Sequence, residues 1–267
     1  MTRYAILGVE GPTDQAVVGR ALKLLGFKSL GGEGSESKLD PFWKKFIPTY
    51  PKDRNLWKRM DMPSIYTSPE SSIAVYCGEG SRLGKNLDLI IRNHSPYRED
   101  IAALGILADA DDQVASDVAA GYQEALGELF PAFPKVAGEV VEGSPRLGVF
   151  VFPDNVRQGV VEHIVLQCGE LVYQDHLGRA REFVAGFGLE ERTQSHWAPF
   201  DEQKAILASV ASLLKPGKTN TASLADNKWI SEQTRHVPGL RALLRFLMRL
   251  LDLAIDEEES SARVSTA

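Results

Sequence analysis

Short apolar runs alternate along the chain with longer segments in which apolar residues recur every three to four positions. The apolar runs predict strands at residues 3–10, 72–77, 101–108 and 146–152. The segments that follow them have the spacing of amphipathic helices. Strands that lack polar alternation and are each followed by a helix are typical of a parallel sheet covered on both faces. The pattern therefore predicts an α/β fold with a mainly parallel sheet flanked by helices.

The same pattern divides the chain into three regions. Residues 1–170 are expected to form the α/β core, within which residues 29–70 form an irregular insertion rich in Gly, Ser and Pro. Residues 171–255 predict a helical C-terminal extension packed on the core, because helical spacing continues there without further strands. Residues 256–267 are polar and begin with acidic residues, so we expect a disordered acidic tail.

Composition says more about the cellular compartment of the protein than about its function. The chain is 43% hydrophobic and 25% charged, which is ordinary for a globular protein. No apolar run approaches the ~20 residues that span a bilayer, and the first strand begins too early for a signal peptide. Cys77 and Cys168 have neither metal-ligand nor disulfide-framework spacing. We therefore expect a cytoplasmic protein without a membrane partner. The net charge of −6 does not exclude nucleic acid, since bound Mg²⁺ and a local basic patch can reverse the potential at a site.

Carboxylates follow two of the predicted strands, at the position where ligands gather in open parallel sheets. Glu10 follows the first strand, and Asp109 and Asp111 follow the third. Carboxylates that converge on one point repel each other unless a cation lies among them, and Mg²⁺ prefers carboxylate oxygen and water. We therefore predict an Mg²⁺ (or Mn²⁺) site formed by Glu10, Asp109 and Asp111.

Other acidic residues are candidates for a second metal site or an outer shell. Glu162 lies in an otherwise apolar helical segment after the fourth strand, where a carboxylate needs a partner. Asp112 is the other predicted additional ligand. Asp14 has two interpretations: a first-turn carboxylate favoured by the helix dipole, or an outer partner of the metal.

Basic residues suggest where a phosphate would bind. Lys85, on the helix after the second strand, is predicted to offset phosphate charge in a catalytic set with Glu10, Asp109 and Asp111, although an exposed helix lysine is the alternative. Between residues 40 and 59 basic and aromatic residues alternate, as on surfaces that bind single strands. The alternative there is that the aromatic residues anchor an insertion whose lysines face water. The predicted nucleic-acid contacts are Lys44, Lys45, Arg82 and Lys85.

Two motifs together resemble the signature of the Toprim domain, which topoisomerases, primases and overcoming-lysogenization-defect nucleases share. They are Val9-Glu10-Gly11-Pro12-Thr13-Asp14 and Asp109-Ala110-Asp111-Asp112. A third pattern, Phe152-Pro153-Asp154-Asn155 with Gly159-x-x-Glu162, resembles a small, largely uncharacterised branch of Toprim-related proteins. The resemblance covers about residues 3–170 and implies a Rossmann-like Toprim core that holds one or two Mg²⁺ ions. The chain shows no recognisable ATPase domain, topoisomerase tyrosine domain or zinc-binding primase module.

The function that this resemblance implies is Mg²⁺-dependent phosphodiester chemistry on nucleic acid, as a nuclease acting on DNA or RNA, with an ATPase or another protein as a candidate partner. One alternative is a non-catalytic regulatory module that binds metal, nucleotide or protein. Another is a doubly wound phosphoryl-accepting protein, in which Glu10 would have no natural role. A nuclease requires the oxygens of Glu10, Asp109 and Asp111 to face one small volume beside a groove lined by lysine and arginine. Carboxylates that are splayed or sealed by salt bridges would favour the binding module.

Overall fold

A computed structural model describes residues 2–30, 39–45 and 63–254. In this part of the chain the strands are β1 Arg3–Val9, β2 Lys28–Leu30, β3 Ser64–Thr67, β4 Ser71–Cys77, β5 Ile101–Asp109, β6 Val140–Val141 and β7 Arg146–Phe152. They form a sheet in the order β2-β3-β4-β1-β5-β7-β6. The central strands β4, β1, β5 and β7 are parallel, and β2, β3 and β6 pair antiparallel at the edges. The predicted α/β class with a mainly parallel sheet is confirmed.

Helices cover both faces of the sheet. They are α1 Pro12–Leu24, α2 Leu83–Arg92, α3 Ser95–Glu99, α4 Ala115–Leu126, α5 Glu162–Val172, α6 Gln174–Ala185, α7 Leu189–Gln194, α8 Asp201–Leu214, α9 Asn220–Asp226 and α10 Pro238–Leu250. Helices α2 to α4 contribute to one hydrophobic core, and α1, α5, α6 and α8 to α10 contribute to the other. Successive residues of β1 alternate between the cores, with Leu7 in one and Ile6 in the other. Among the described residues, no helix is long and apolar enough to cross a bilayer.

The region boundaries differ from those predicted. The predicted insertion 29–70 contains β3 and overlaps β2, and both strands extend the sheet beyond β4. The predicted boundary at 170/171 falls inside α5, and helices on both sides of it share one core. β2 and β3 escaped prediction because they are too short to produce a clear apolar run. Residues 31–38 and 46–62 and the predicted tail 256–267 lie outside the described residues.

The described part of the basic and aromatic segment packs against the beginning of the parallel strands. The Trp43 indole is fully buried, and its Nε1–H donates to Ser72 Oγ at 2.8 Å. Phe42 stacks on Tyr4 with ring centroids 3.9 Å apart. Tyr4 and Ser72 lie near the start of β1 and β4. The interpretation that aromatic residues anchor this segment is therefore confirmed for Phe42 and Trp43.

Candidate functional site

Four carboxylates gather at the C-terminal ends of the parallel strands. Strands β1 and β5 are adjacent and in register, with Val9 opposite Leu107, so Glu10 and Asp109 leave the sheet at the same edge. Asp14 lies in the first turn of α1 and Glu162 in the first turn of α5. The charges of Glu10, Asp14 and Glu162 act on Asp109, and those of Glu10 and Glu162 also act on Asp14. The topology thus joins acidic residues that are far apart in the sequence.

Asp109 lies at the centre of this carboxylate cluster (Glu10, Asp14, Asp109 and Glu162). Burial raises the pKa of Asp109 to about 10, and the negative charges of the other three carboxylates act in the same direction. The backbone N–H of Val161 donates to Asp109 Oδ1 at 2.8 Å, which opposes that rise. Because Val161 immediately precedes α5, the start of that helix fixes the position of the Asp109 carboxyl group.

Asp14 is both a helix cap and a member of the cluster. Its Oδ2 accepts a hydrogen bond from the Gly11 backbone N–H at 2.8 Å, which confirms its role at the start of α1. The side chain is only 4% exposed. Burial raises the pKa of Asp14 to about 8, and the charges of Glu10 and Glu162 add to the effect. Capping alone would not place this group among other carboxylates.

Glu10 is held by a tyrosine that sequence analysis missed. The Tyr122 hydroxyl on α4 donates to Glu10 Oε1 at 2.8 Å. Burial raises the pKa of Glu10, the Tyr122 hydrogen bond lowers it, and the charge of Asp111 raises it again. Burial and the charge of Glu10 also raise the pKa of Tyr122, so this phenol remains a neutral donor. Tyr122 occupied an ordinary core position in the helical pattern, which gave no signal of this contact.

Glu162 carries an unsatisfied oxygen. The residue is 6% exposed, and its Oε2 is buried without a hydrogen-bond partner among the described residues. Burial raises the pKa of Glu162, the charge of Lys204 lowers it, and the charge of Asp111 raises it. A buried acceptor without a donor is costly. The predicted need of this carboxylate for a partner is therefore visible in the structure.

Lys204 brings a positive charge to the cluster from α8, in the C-terminal helical region. Its Nζ lies 3.4 Å from Asp201 Oδ1. Partial burial disfavours its charge, but Asp201, Glu162 and Asp111 together raise the pKa of Lys204. Sequence analysis missed Lys204, because nothing along the chain relates α8 to the ends of β1 and β5.

The side chains of Asp111 and Asp112 are more exposed than those of the four carboxylates in the cluster. Asp111 has a left-handed backbone conformation with φ of 48°, and its backbone exchanges two 2.9 Å hydrogen bonds with Gly159. Its carboxylate is close enough to raise the pKa values of Glu10 and Glu162. The side chain of Asp112 is exposed. Asp111 thus borders the cluster, whereas the position of Asp112 favours a peripheral role.

A cleft of about 400 Å³ opens beside Glu10, Asp109 and Asp111, between α2 and α4. Lys85 is exposed and lines it. Arg82 is exposed at the start of α2 and pairs with Glu79 at 3.7 Å. Lys44 follows Trp43, which contacts Ser72 near the start of β4, whereas the cleft lies where the strands end. The Lys45 side chain lies outside the described residues. Of the predicted nucleic-acid contacts, Lys85 therefore has the position that the prediction requires.

The donor set fits a hard divalent cation, although the carboxylates do not form a ready-made cage. Among the described residues, no group of three or more His, Cys, Asp or Glu side chains is arranged so that it could hold a metal ion. Mg²⁺ does not require such a cage, since it commonly binds one or two carboxylates and keeps several waters. A cation would relieve the repulsion among the crowded carboxylates, whose pKa values are raised. It would also give the buried, unpartnered oxygen of Glu162 a partner. The residues present thus fit Mg²⁺ or Mn²⁺ bound partly through water.

Comparisons with known proteins identify relatives without assigning an activity. A family model described as "Protein of unknown function (DUF3226)" matches residues 4–252. The crystal structure of hypothetical protein PH0156 from Pyrococcus horikoshii OT3 is similar, with a TM-score of 0.50 and 17% identity. The similarity covers 94% of this chain and 96% of that chain, and at this identity it shows the fold alone. No curated protein matches the chain.

Proposed function

The chain belongs to the DUF3226 family of proteins of unknown function, and from its carboxylate cluster we propose that it is a metal-dependent nuclease of the Toprim type. The observation that carries the proposal is the convergence of Glu10, Asp14, Asp109 and Glu162 beside an open cleft. Such crowding costs stability, and a structural core would not require it. A site for a divalent cation and a phosphate gives these carboxylates a purpose. We also propose that the protein works in the cytoplasm.

Glu10, Asp109, Asp111 and Glu162 are the candidate ligands; one or two of them would bind the ion directly and the others through water. A bound Mg²⁺ or Mn²⁺ supplies Lewis-acid polarisation of the scissile phosphate and stabilisation of the leaving oxygen. The hydrogen bonds from Tyr122 to Glu10 and from Val161 to Asp109 orient one oxygen of each carboxylate. Each carboxylate keeps its second oxygen for a ligand.

The protein also supplies groups that act on the substrate directly. The alternative role for Glu10, in place of metal binding, is that of a general acid for the leaving oxygen, and burial raises its pKa in the direction that such a role needs. Lys85 extends into the cleft from α2 and would offset the charge of the phosphate. The charge of Asp14 raises the pKa of Asp109, and the charge of Lys204 lowers the pKa of Glu162.

Cleavage assays with Mg²⁺ or Mn²⁺ test the proposal. Supercoiled plasmid and labelled single strands are incubated with the wild-type protein and with Glu10→Gln, which keeps the size of the side chain but not its charge. We expect metal-dependent cleavage that falls by about 100-fold or more in the variant. Equal activity in both proteins would indicate a contaminant and overturn the proposal. Binding of nucleic acid without cleavage would favour the regulatory module instead.

Lys204→Gln is expected to tighten Mg²⁺ binding a few-fold. Lys204 and the ion are attracted by the same carboxylates, Glu162 and Asp111, so removing the lysine removes a competing cation. The effect is modest because the lysine side chain is 48% exposed and solvent screens its charge. Titration of Mg²⁺ followed by thermal melting measures the change.

Lys228→Gln is the matched control for that titration, because Lys228 is also an exposed lysine but lies after α9 and not on α8. The control is expected to bind Mg²⁺ as the wild-type protein does. Weaker binding by Lys204→Gln would show that Lys204 does not compete with the ion.

A further inference from the structure

The cleft beside the carboxylate cluster has two walls of different chemistry. Ser81, Gly84 and Lys85 line the side formed by α2 and the turn before it. The side formed by α4 and the residues before it is lined by Gln113, Asp117, Val118, Gly121, Tyr122 and Ala125. Glu10, Asp109 and Asp111 lie at its inner end. A ligand in the cleft would therefore contact the cluster at one end and both helices along its length.

Two glycines have different roles beside the cleft. Gly84 lets α2 approach α4, because a Cβ atom there would lie 2.9 Å from Ala125 Cβ. Gly121, in contrast, faces open space, since a Cβ atom there would have no neighbour within 4 Å. The part of the cleft beside Gly121, which we call the slot, therefore has room for a ligand. The Tyr122 ring and Val118 supply apolar surface for it.

Polar groups are distributed unevenly around this slot. The ammonium of Lys85 lies on one wall, and the carboxylate of Asp117 and the amide of Gln113 lie on the other. A phosphate is attracted to Lys85 and repelled by Asp117. The amino groups of nucleobases, by comparison, are donors that a carboxylate or an amide oxygen can accept. The charge pattern thus distinguishes a wall that attracts phosphate from a wall that accepts hydrogen bonds from a base.

We propose that the cleft binds one unpaired nucleotide, with its phosphate at Lys85 and the carboxylates and its base between α2 and α4. This inference rests on the proposed nuclease function and names its substrate class, a single-stranded nucleic acid. A volume of about 400 Å³ is at the lower end of ordinary ligand pockets, ~300–1,000 Å³. A base that is paired and stacked in a duplex cannot enter such a slot without leaving the stack.

Gly121→Leu tests this inference with little risk to the fold. The new side chain would enter the open space of the slot, and leucine favours a helix more than glycine does. Gly178→Leu is the matched control, because Gly178 is also an exposed glycine within a helix, α6, and a Cβ atom there also has no neighbour within 4 Å. Thermal melting establishes that both variants fold.

Binding is measured by fluorescence anisotropy with a labelled single-stranded oligonucleotide. Ca²⁺ replaces Mg²⁺ in this assay, so that binding is measured separately from cleavage. We expect the wild-type protein and Gly178→Leu to bind the single strand at least ~10-fold more tightly than its blunt duplex, and Gly121→Leu to lose ~10-fold or more. A variant Gly121→Leu that binds like the wild type would overturn the inference. So would equal binding of the single strand and its duplex.

A second variant separates the phosphate end from the slot. Lys85→Gln is expected to weaken binding and to reduce the salt dependence of log K by about 0.7 for each phosphate of a single strand that the lysine neutralises. An unchanged slope would overturn the assignment of Lys85. The inference and the proposed function can fail separately: strand binding without any metal-dependent cleavage would overturn only the nuclease, and undiminished cleavage by Gly121→Leu would overturn only the slot.

Discussion

Asp109→Asn is expected to abolish metal-dependent cleavage while making the metal-free protein more stable at about pH 8. The amide oxygen of asparagine can still accept the hydrogen bond that Val161 donates to Asp109 Oδ1, so the local structure is kept. The charge that a cation needs is lost, and removal of such an electrostatic contribution typically costs about 10²–10³ in rate. Activity and stability are thus expected to change in opposite directions.

The gain in stability follows from the position of Asp109 in the cluster. Burial and the charges of Asp14, Glu162 and Glu10 raise the pKa of Asp109 to about 10. In the unfolded chain the same group ionises near pH 4. From that pH up to pH 8, each pH unit therefore lowers the free energy of unfolding by about 1.4 kcal/mol. Asparagine has no proton to release. Even one pH unit of this difference corresponds to a rise of about 2–4 °C in Tm for a chain of this size.

Cleavage rates and thermal melting with a chelator measure the two effects. Asp100→Asn is the matched control, because Asp100 is exposed and immediately precedes β5, whereas Asp109 ends the same strand. The control is expected to keep both the activity and the Tm of the wild-type protein. An Asp109→Asn variant that cleaves normally would remove Asp109 from the proposed site. One that melts below the wild type at pH 8 would show that its carboxyl group does not destabilise the metal-free fold.

The metal-free wild-type protein is expected to lose stability steadily as the pH rises from about 5 to about 8. A carboxyl group whose pKa is higher in the folded than in the unfolded chain keeps its proton in the folded state after the unfolded chain has released it. The stabilisation is therefore complete below the unfolded pKa, near 4. It is lost as the pH rises through the folded pKa, about 8 for Asp14 and about 10 for Asp109.

Mg²⁺ or Mn²⁺ is expected to reverse this loss, and to do so more strongly at pH 8 than at pH 6. The ion binds ionised carboxylates and so competes with protons. An ion present at 100 times its Kd adds about 2.7 kcal/mol to the free energy of unfolding. Thermal melting over this pH range, with Mg²⁺ and with a chelator, measures both effects. A metal-free Tm that is constant or rises with pH would contradict the carboxylate cluster, and a Tm that ignores both ions would contradict the metal site.

The sequence was sufficient for the features that depend on local pattern. The apolar runs that became β1, β4, β5 and β7 were identified because strands buried on both faces contain few polar residues. The positions of Glu10 and Asp109 followed, since polar residues directly after such strands must lie at the edge of the sheet. The short edge strands β2, β3 and β6 were missed, because two to four residues do not establish a period.

Tyr122, Lys204 and the cleft could not be predicted from local pattern. Tyr122 had the spacing of an ordinary core residue in α4, yet its hydroxyl meets Glu10. Lys204 had no distinguishing neighbour in the sequence, and it approaches Glu162 and Asp111 only because α8 packs against α5. The cleft likewise depends on the packing of α2 against α4, where Gly84 meets Ala125.

The sequence by itself therefore determined the α/β class, the central strands and the acidic residues at their ends. Hydrophobic periodicity and chain geometry act over a few residues, and a single sequence displays them directly. Only the tertiary structure decided that Asp14 and Glu162 join Glu10 and Asp109, which oxygens receive hydrogen bonds, and which positive charges lie nearby. Electrostatic interaction and burial depend on distance in space, and that distance is set by the strand order and by helix packing.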